Sequence, residues 1–135
     1  AIGLALSAMI TQILKRFIFG EVPRPFLVFK EQIDVGQWHL IDGVEMHQFY
    51  SFPSGHTTSI FGICILLSLI INQKKYNYGL FMIALLVGFS RIYLSQHFLM
   101  DVFIGSLIGS MMTIFTFLFL RYRLKGLKKY SILRF

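Results

Sequence analysis

An all-α bundle of membrane-spanning helices is the fold this sequence predicts. Composition, the spacing of long apolar runs and the placement of charge all point to it. Of 135 residues, 56% are hydrophobic, 16% aromatic and only 14% charged, with a mean hydropathy of +0.68. A soluble globule is far more polar. The apolar content sits in four segments, residues 1–14, 57–71, 78–89 and 98–120. A bilayer span takes roughly 20 mostly apolar residues, so the last segment suffices alone and the others span with their polar flanks. About four transmembrane helices in a single domain, residues 1–135, are therefore expected.

The first helix is expected over residues 1–19, stopped by Gly20 and by Pro23 and Pro25, since proline cannot continue a helical ladder. Residues 20–53 show no periodicity and read as a long loop, a length that usually carries function. Its Trp38, Phe49, Tyr50 and Phe52 suit the membrane interface. Ser54, just past Pro53, is a good N-cap for the second helix. A turn over residues 72–77 leads to a third helix ending near Tyr93, and Ser95 can cap a fourth that begins near His97. Asn, Lys and Arg then close the pattern. Lys74 and Lys75 lie in the turn, and Arg121, Arg123, Lys125, Lys128, Lys129 and Arg134 lie in a tail over residues 121–135.

Three helices between turn and tail put both basic clusters on one side, which the positive-inside rule makes cytoplasmic. Residues 20–53 then form an extracytoplasmic loop, where Glu21, Glu31, Asp34, Asp42 and Glu45 face Arg24 and Lys30 without a basic cluster. This distribution assigns the net charge of +7 to topology and anionic lipid rather than to nucleic acid. Cys64 stands alone, which excludes a disulfide framework or a cysteine metal site and suits a packing role. Without an initiator Met or a basic stretch before its apolar run, the N-terminus does not read as a signal peptide. The chain is expected to begin inside a longer protein.

Helix punctuation gathers Lys15, Arg24, His56, Arg91 and His97 at the outer end of the bundle. His97 and Asp101 are four apart, so on a helix they share a face, and the carboxylate can hold one imidazole nitrogen while the other is free to attack. An aspartate in an apolar helix is costly and usually functional. Phosphoryl transfer needs cationic donors around the equatorial oxygens and an in-line nucleophile. Arg24 and Arg91 supply planar forks and Lys15 a point charge, while Ser54 and the amides near Gly55 lie at a helix N-terminus suited to anions. Gly105 and Gly109 continue the four-residue row from His97 and Asp101 and favour a close helical neighbour. Arg16 and Trp38 read as interface anchors, and His39 and His47 as ordinary loop residues.

Two of these motifs carry a resemblance. Pro53-Ser54-Gly55-His56 and Ser90-Arg91-x5-His97-x3-Asp101 resemble the second and third signatures of the type 2 phosphatidic acid phosphatase superfamily, which also includes soluble acid phosphatases and vanadium haloperoxidases. The first family signature is lysine, six residues, then Arg-Pro. Here Lys15 stands eight residues before Arg24-Pro25, or Arg16 seven, so either can fill that place.

The resemblance implies a six-helix membrane fold whose first two helices precede this region. It implies a lipid phosphatase in which His97 attacks phosphorus, Asp101 holds its tautomer and His56 protonates the leaving oxygen and later activates water. Lys15, Arg24, Ser54, Gly55 and Arg91 would bind the phosphate, with no metal and no cofactor. The expected partners are a phosphorylated lipid and the bilayer, with no nucleic acid. The expected location is the bacterial inner membrane, with the active site on the extracytoplasmic face. A vanadium haloperoxidase-like enzyme and a non-catalytic lipid-binding protein on the same helices are the alternatives. Four apolar spans disfavour the first, and intact His56, His97 and Asp101 disfavour the second.

Overall fold

The computed structural model describes residues 2–131 except 39 and 42, with side chains as far as Leu124. The expectations for His39, for the charge of Asp42 and for the basic side chains from 125 onward lie outside the described residues. The chain is 74% helical. Helix α1 (Ile2–Ile13) runs directly into a π-helical turn, Leu14–Ile18, and two short helices follow, α2 (Pro25–Val28) and α3 (Lys30–Asp34). The long helices α4 (Gly55–Ile71), α5 (Lys74–Tyr93) and α6 (Leu99–Ser131) complete the bundle. Helix α4 is central and packs against α1, α5 and α6.

The interior is small and polar, the exterior large and apolar. Buried positions are Gly3, Ser7 and Thr11 on α1, Thr57, Thr58, Gly62 and Cys64 on α4, and Ala84 and Gly88 on α5. On α6 they are Asp101, Gly105, Gly109, Thr113 and Thr116, spaced by four and three so that they form one stripe. Phenylalanine, leucine and isoleucine side chains point outward, Phe17 at 82% exposure and Leu86 at 62% among them. A soluble core shows the opposite distribution. Within lipid, burying leucine against leucine gains little, and helices associate where small residues let their backbones meet. A β-carbon on Gly105 would lie 2.6 Å from the Ser54 carbonyl oxygen, and one on Gly109 would overlap the Thr58 carbonyl. The expected close neighbour of that row is therefore α4.

Among the described residues, one helix is long and apolar enough to cross a membrane by itself, Leu99–Leu124, with mean hydropathy 2.0 over its best window. Gly55–Ile71 is apolar but shorter. The count of about four spans is thus met on length and apolarity at one helix, and the others depend on polar flanks.

Three boundaries differ from expectation. The turn after α4 is tighter than residues 72–77, because Asn72 adopts φ 51° and closes the helix through an N–H bond to the Ser68 carbonyl, so α5 begins at Lys74. Asn tolerates that left-handed conformation. Residues 20–53 are not irregular throughout but contain α2 and α3, the first opened by Pro25 at its N-terminus, where a fixed φ and a missing N–H cost nothing. Helix α6 begins at Leu99, after His97, and Ser95 does not cap it. Ser95 has φ 53°, and its hydroxyl accepts a hydrogen bond from Trp38 Nε1 at 3.1 Å. Trp38 also stacks on Phe29, with ring centroids 4.8 Å apart, so it ties the loop to the site rather than simply resting at the interface.

Candidate active site

Alternating helix directions bring the end of α1, the start of α4, the end of α5 and the start of α6 to the same end of the bundle. Ser54 is the N-cap of α4, its Oγ accepting from Thr57 N at 3.4 Å and from Thr57 Oγ1 at 2.9 Å. Its own N–H donates to the Asp101 carbonyl at 3.0 Å. That bond fixes the first turn of α4 against the first turn of α6 and lets Gly55 and His56 face outward. Arg91 lies in the last turn of α5, where Nη1 donates to Gln96 Oε1 and Nε to Ser90 Oγ, both at 3.2 Å. The His97 N–H donates to the Arg91 carbonyl at 3.2 Å, so arginine and histidine are set by one turn.

Arg24 is placed by the loop. Its N–H donates to the Gln48 carbonyl at 2.8 Å and its Nε to the Phe49 carbonyl at 3.0 Å. Lys15 stands on the π turn, whose closing bond runs from Phe19 N to the Leu14 carbonyl at 2.9 Å. A π turn holds one more residue than an α turn, and it falls where the spacing to Arg24-Pro25 exceeds six. Lys15 is half-buried and Arg16 exposed.

These elements enclose a cavity of about 700 Å³ lined by Lys15, Arg24, Gly55, His56, Arg91 and His97. Gln12 and Gln96 add amides, and Ile60, Ile63 and Val87 continue the wall down the helices. A second cavity of about 670 Å³ shares Lys15 and Arg24 and adds Arg16, Gln48, Phe49 and Tyr50. Arg16 thus lines the neighbouring space rather than the one that holds His56 and His97. His47 lines both cavities, a placement closer to the site than an ordinary loop residue has.

Two expected site residues lie behind the cavity wall. Asp101 is buried at 3% exposure, and its Oδ2 faces His97 Nδ1 at 3.3 Å. The pair forms although His97 precedes α6, so the shared helical face expected from i, i+4 spacing is replaced by a turn. The same Oδ2 accepts from Phe98 N at 2.9 Å, capping the helix from inside its first turn. With Nδ1 donating to Asp101, His97 Nε2 carries the free lone pair. Ser54 is fully buried, and its hydroxyl is engaged by Thr57. That burial sets Ser54 behind the backbone around Gly55, where a β-carbon would meet open space.

Burial pushes the His97 pKa below the ordinary imidazole value; Arg24 and Lys15 act in the same direction and the Asp101 hydrogen bond opposes them. The neutral form is favoured.

Sequence reasoning did not find Ser51 or Gln96. Ser51 is fully buried and its hydroxyl donates to Asp101 Oδ2. The one available signal was its place two residues before Pro53, which says nothing about a partner fifty residues away.

Cationic side chains, His56 and His97, with the Asp101 carboxylate behind the latter, define a class: helical membrane proteins with a pocket suited to phosphoryl groups. A family model described as the PAP2 superfamily matches residues 1–125, and the chain belongs to that superfamily. It is 33% identical over 120 residues to undecaprenyl-diphosphatase BcrC of Bacillus subtilis, covering 89% of this chain and 52% of that protein. It is 37% identical over 60 residues to lipid A 4'-phosphatase of Porphyromonas gingivalis, covering 44% of this chain and 25% of that one. The crystal structure of Aquifex aeolicus LpxE matches with a TM-score of 0.67 and 31% identity, over 85% of this chain and 62% of that one. The chain spans a quarter to about half the length of these curated relatives.

Proposed function

We propose that this chain carries the active site of an integral membrane phosphatase that hydrolyses a phosphate ester or diphosphate of a lipid headgroup through a phosphohistidine. The observation that carries the reading is the single cavity joining Lys15, Arg24, His56, Arg91 and His97, with Asp101 at 3.3 Å behind His97. In the first step His97 Nε2 attacks phosphorus, the bond to the leaving oxygen breaks, and His56 gives that oxygen its proton. Arg24, Arg91, Lys15 and the Gly55 amide neutralise the equatorial oxygens, where charge concentrates in the transition state. Asp101 keeps the proton on Nδ1 and stabilises the imidazolium. In the second step His56 takes a proton from water, the water oxygen attacks phosphorus, and the P–N bond breaks to release phosphate and free His97. These residues complete the cycle without a metal.

The relatives' names support a lipid substrate, and the apolar wall of Ile60, Ile63 and Val87 suits the first part of a lipid chain. Basic residues at the opposite end of the helices support an extracytoplasmic site in a bacterial inner membrane, with α1, α4 and α5 spanning beside α6.

The test uses the full-length protein and a panel of phosphatidate, phosphatidylglycerol phosphate, a polyprenyl diphosphate and phosphorylated lipid A. Phosphate release from at least one is expected to persist in excess EDTA, to be inhibited by vanadate, which imitates the five-coordinate transition state, and to vanish in His97→Ala. Substantial turnover by that variant would overturn the mechanism, and metal-reversible loss in EDTA would overturn metal independence.

A further inference from the structure

The His97–Asp101 pair and the Arg24 loop are separate in sequence but meet at one buried side chain. Ser51 has no exposed surface. Its hydroxyl donates to Asp101 Oδ2, the same oxygen that faces His97 Nδ1 and caps α6 through Phe98 N. Its N–H donates to the Val22 carbonyl at 3.0 Å, and the next rung of that pairing runs from Arg24 N to the Gln48 carbonyl at 2.8 Å. The Phe49 carbonyl, two residues before Ser51, receives Arg24 Nε.

We propose that Ser51 is a positioning residue for the phosphoryl-transfer reaction, aiming the Asp101 carboxylate at His97 and setting Arg24 against the same cavity. The proposal rests on the reading of His97 as nucleophile and Asp101 as its orienting partner. A carboxylate on a single rotatable stem holds its direction only when its donors hold it. Phe98 N stands at the cap of the carboxylate's own helix and turns with it, whereas Ser51 reaches Asp101 from across the chain and prevents the rotation. The hydroxyl touches neither the cavity nor the reacting atoms. Its effect on rate must therefore pass through Asp101, and this separates positioning from general support of the fold.

A double-mutant cycle decides the matter, with Ser51→Ala, Asp101→Asn and the pair made in the full-length protein and kcat and KM measured on its best lipid phosphate. Ser51→Ala is expected to lower kcat about tenfold or more while KM changes by less than about twofold. In the Asp101→Asn background the same substitution should cost less than about twofold, since residues acting as a unit are not additive. Additive losses, a change confined to KM, or wild-type kcat in Ser51→Ala would overturn the proposal. Should Ser51→Ala fail to fold, Ser51→Cys keeps the volume with a weak donor and enters the same cycle with the same criterion of non-additivity. His97→Ala is assayed alongside. Activity in it overturns the nucleophile reading and the Ser51 proposal together, while additivity with an inactive His97→Ala overturns the Ser51 proposal alone.

Discussion

The seam between α4 and α6 is held in two different ways along its length. At the loop end it is directional: Ser54 N–H to the Asp101 carbonyl and Ser51 to the Asp101 carboxylate. From the next turn of α6 onward it is steric. Gly105 and Gly109 sit against α4 backbone, Gly62 leaves room for Leu4 and Thr113, and Gly3 sits against Thr116 and the Thr113 backbone. Thr113 and Thr116 hydroxyls are buried there without a hydrogen-bond partner among the described residues. One stripe of α6 therefore meets His97 at its first position and packs against neighbouring helices at the rest. Small residues bring the backbones close, and that closeness brings the loop end within hydrogen-bonding reach of Asp101.

The largest expected effect tests the loop end and its choice of cation. Lys15→Ala should lower kcat/KM about 10²-fold, the usual scale for losing a donor that grips the transferred group, while Arg16→Ala changes it less than about threefold. Steady-state kinetics on the same lipid phosphate checks both. The reverse order would mean that the π turn presents Arg16 rather than Lys15 during turnover. Equal, small effects would mean that Arg24 and Arg91 hold the phosphate unaided.

The deeper seam is probed by Gly109→Ala. A methyl group there meets the Thr58 carbonyl, and overpacking of this kind costs about 1–3 kcal/mol. A lowered Tm in detergent is expected, with activity falling as the Ser54–Asp101 contact opens. An unchanged Tm would show that the seam is slack and that the loop-end hydrogen bonds hold the helices by themselves.

The smallest effect is in pH dependence. His97 must be neutral to attack, and burial, Arg24 and Lys15 together hold its pKa below the ordinary imidazole value against the pull of Asp101. Protonation of His97 then sets in only at lower pH and gives kcat/KM an acid limb below about 6.5, the ordinary histidine value, while the need for a protonated His56 at the leaving oxygen gives an alkaline limb, so a bell-shaped profile is expected. An acid limb centred above the ordinary value would mean that Asp101 dominates the imidazole and that burial counts for less at this end than the packing implies.

Much of this arrangement was legible in the residues themselves. Pro53-Ser54-Gly55-His56 and Ser90-Arg91-x5-His97-x3-Asp101 mark a helix start and a helix junction by local chemistry, and apolar runs mark the helices between. Arg24, His56, Arg91 and His97 meet as that punctuation requires, because antiparallel helices joined by short turns return alternate ends to the same place. Cavity partners of this kind follow from order along the chain. What the tertiary structure decided has another source. Nothing in the spacing of His97 and Asp101 distinguishes a helical face from a turn, and a caps-and-turns reading of Ser95 gives no sign of Trp38. Ser54 reads as a cap near the surface until the fold buries it, and the preference for Lys15 over Arg16 gains a second support only where Lys15 lines the cavity that holds His56 and His97. Ser51 has neither charge nor periodicity to mark it. Sequence alone determines local backbone preference and which face is apolar, since both arise within a few residues; the aim of a carboxylate, the choice between adjacent cations and the partner of a buried hydroxyl are set by atoms fifty residues away, and exist only once the helices have packed.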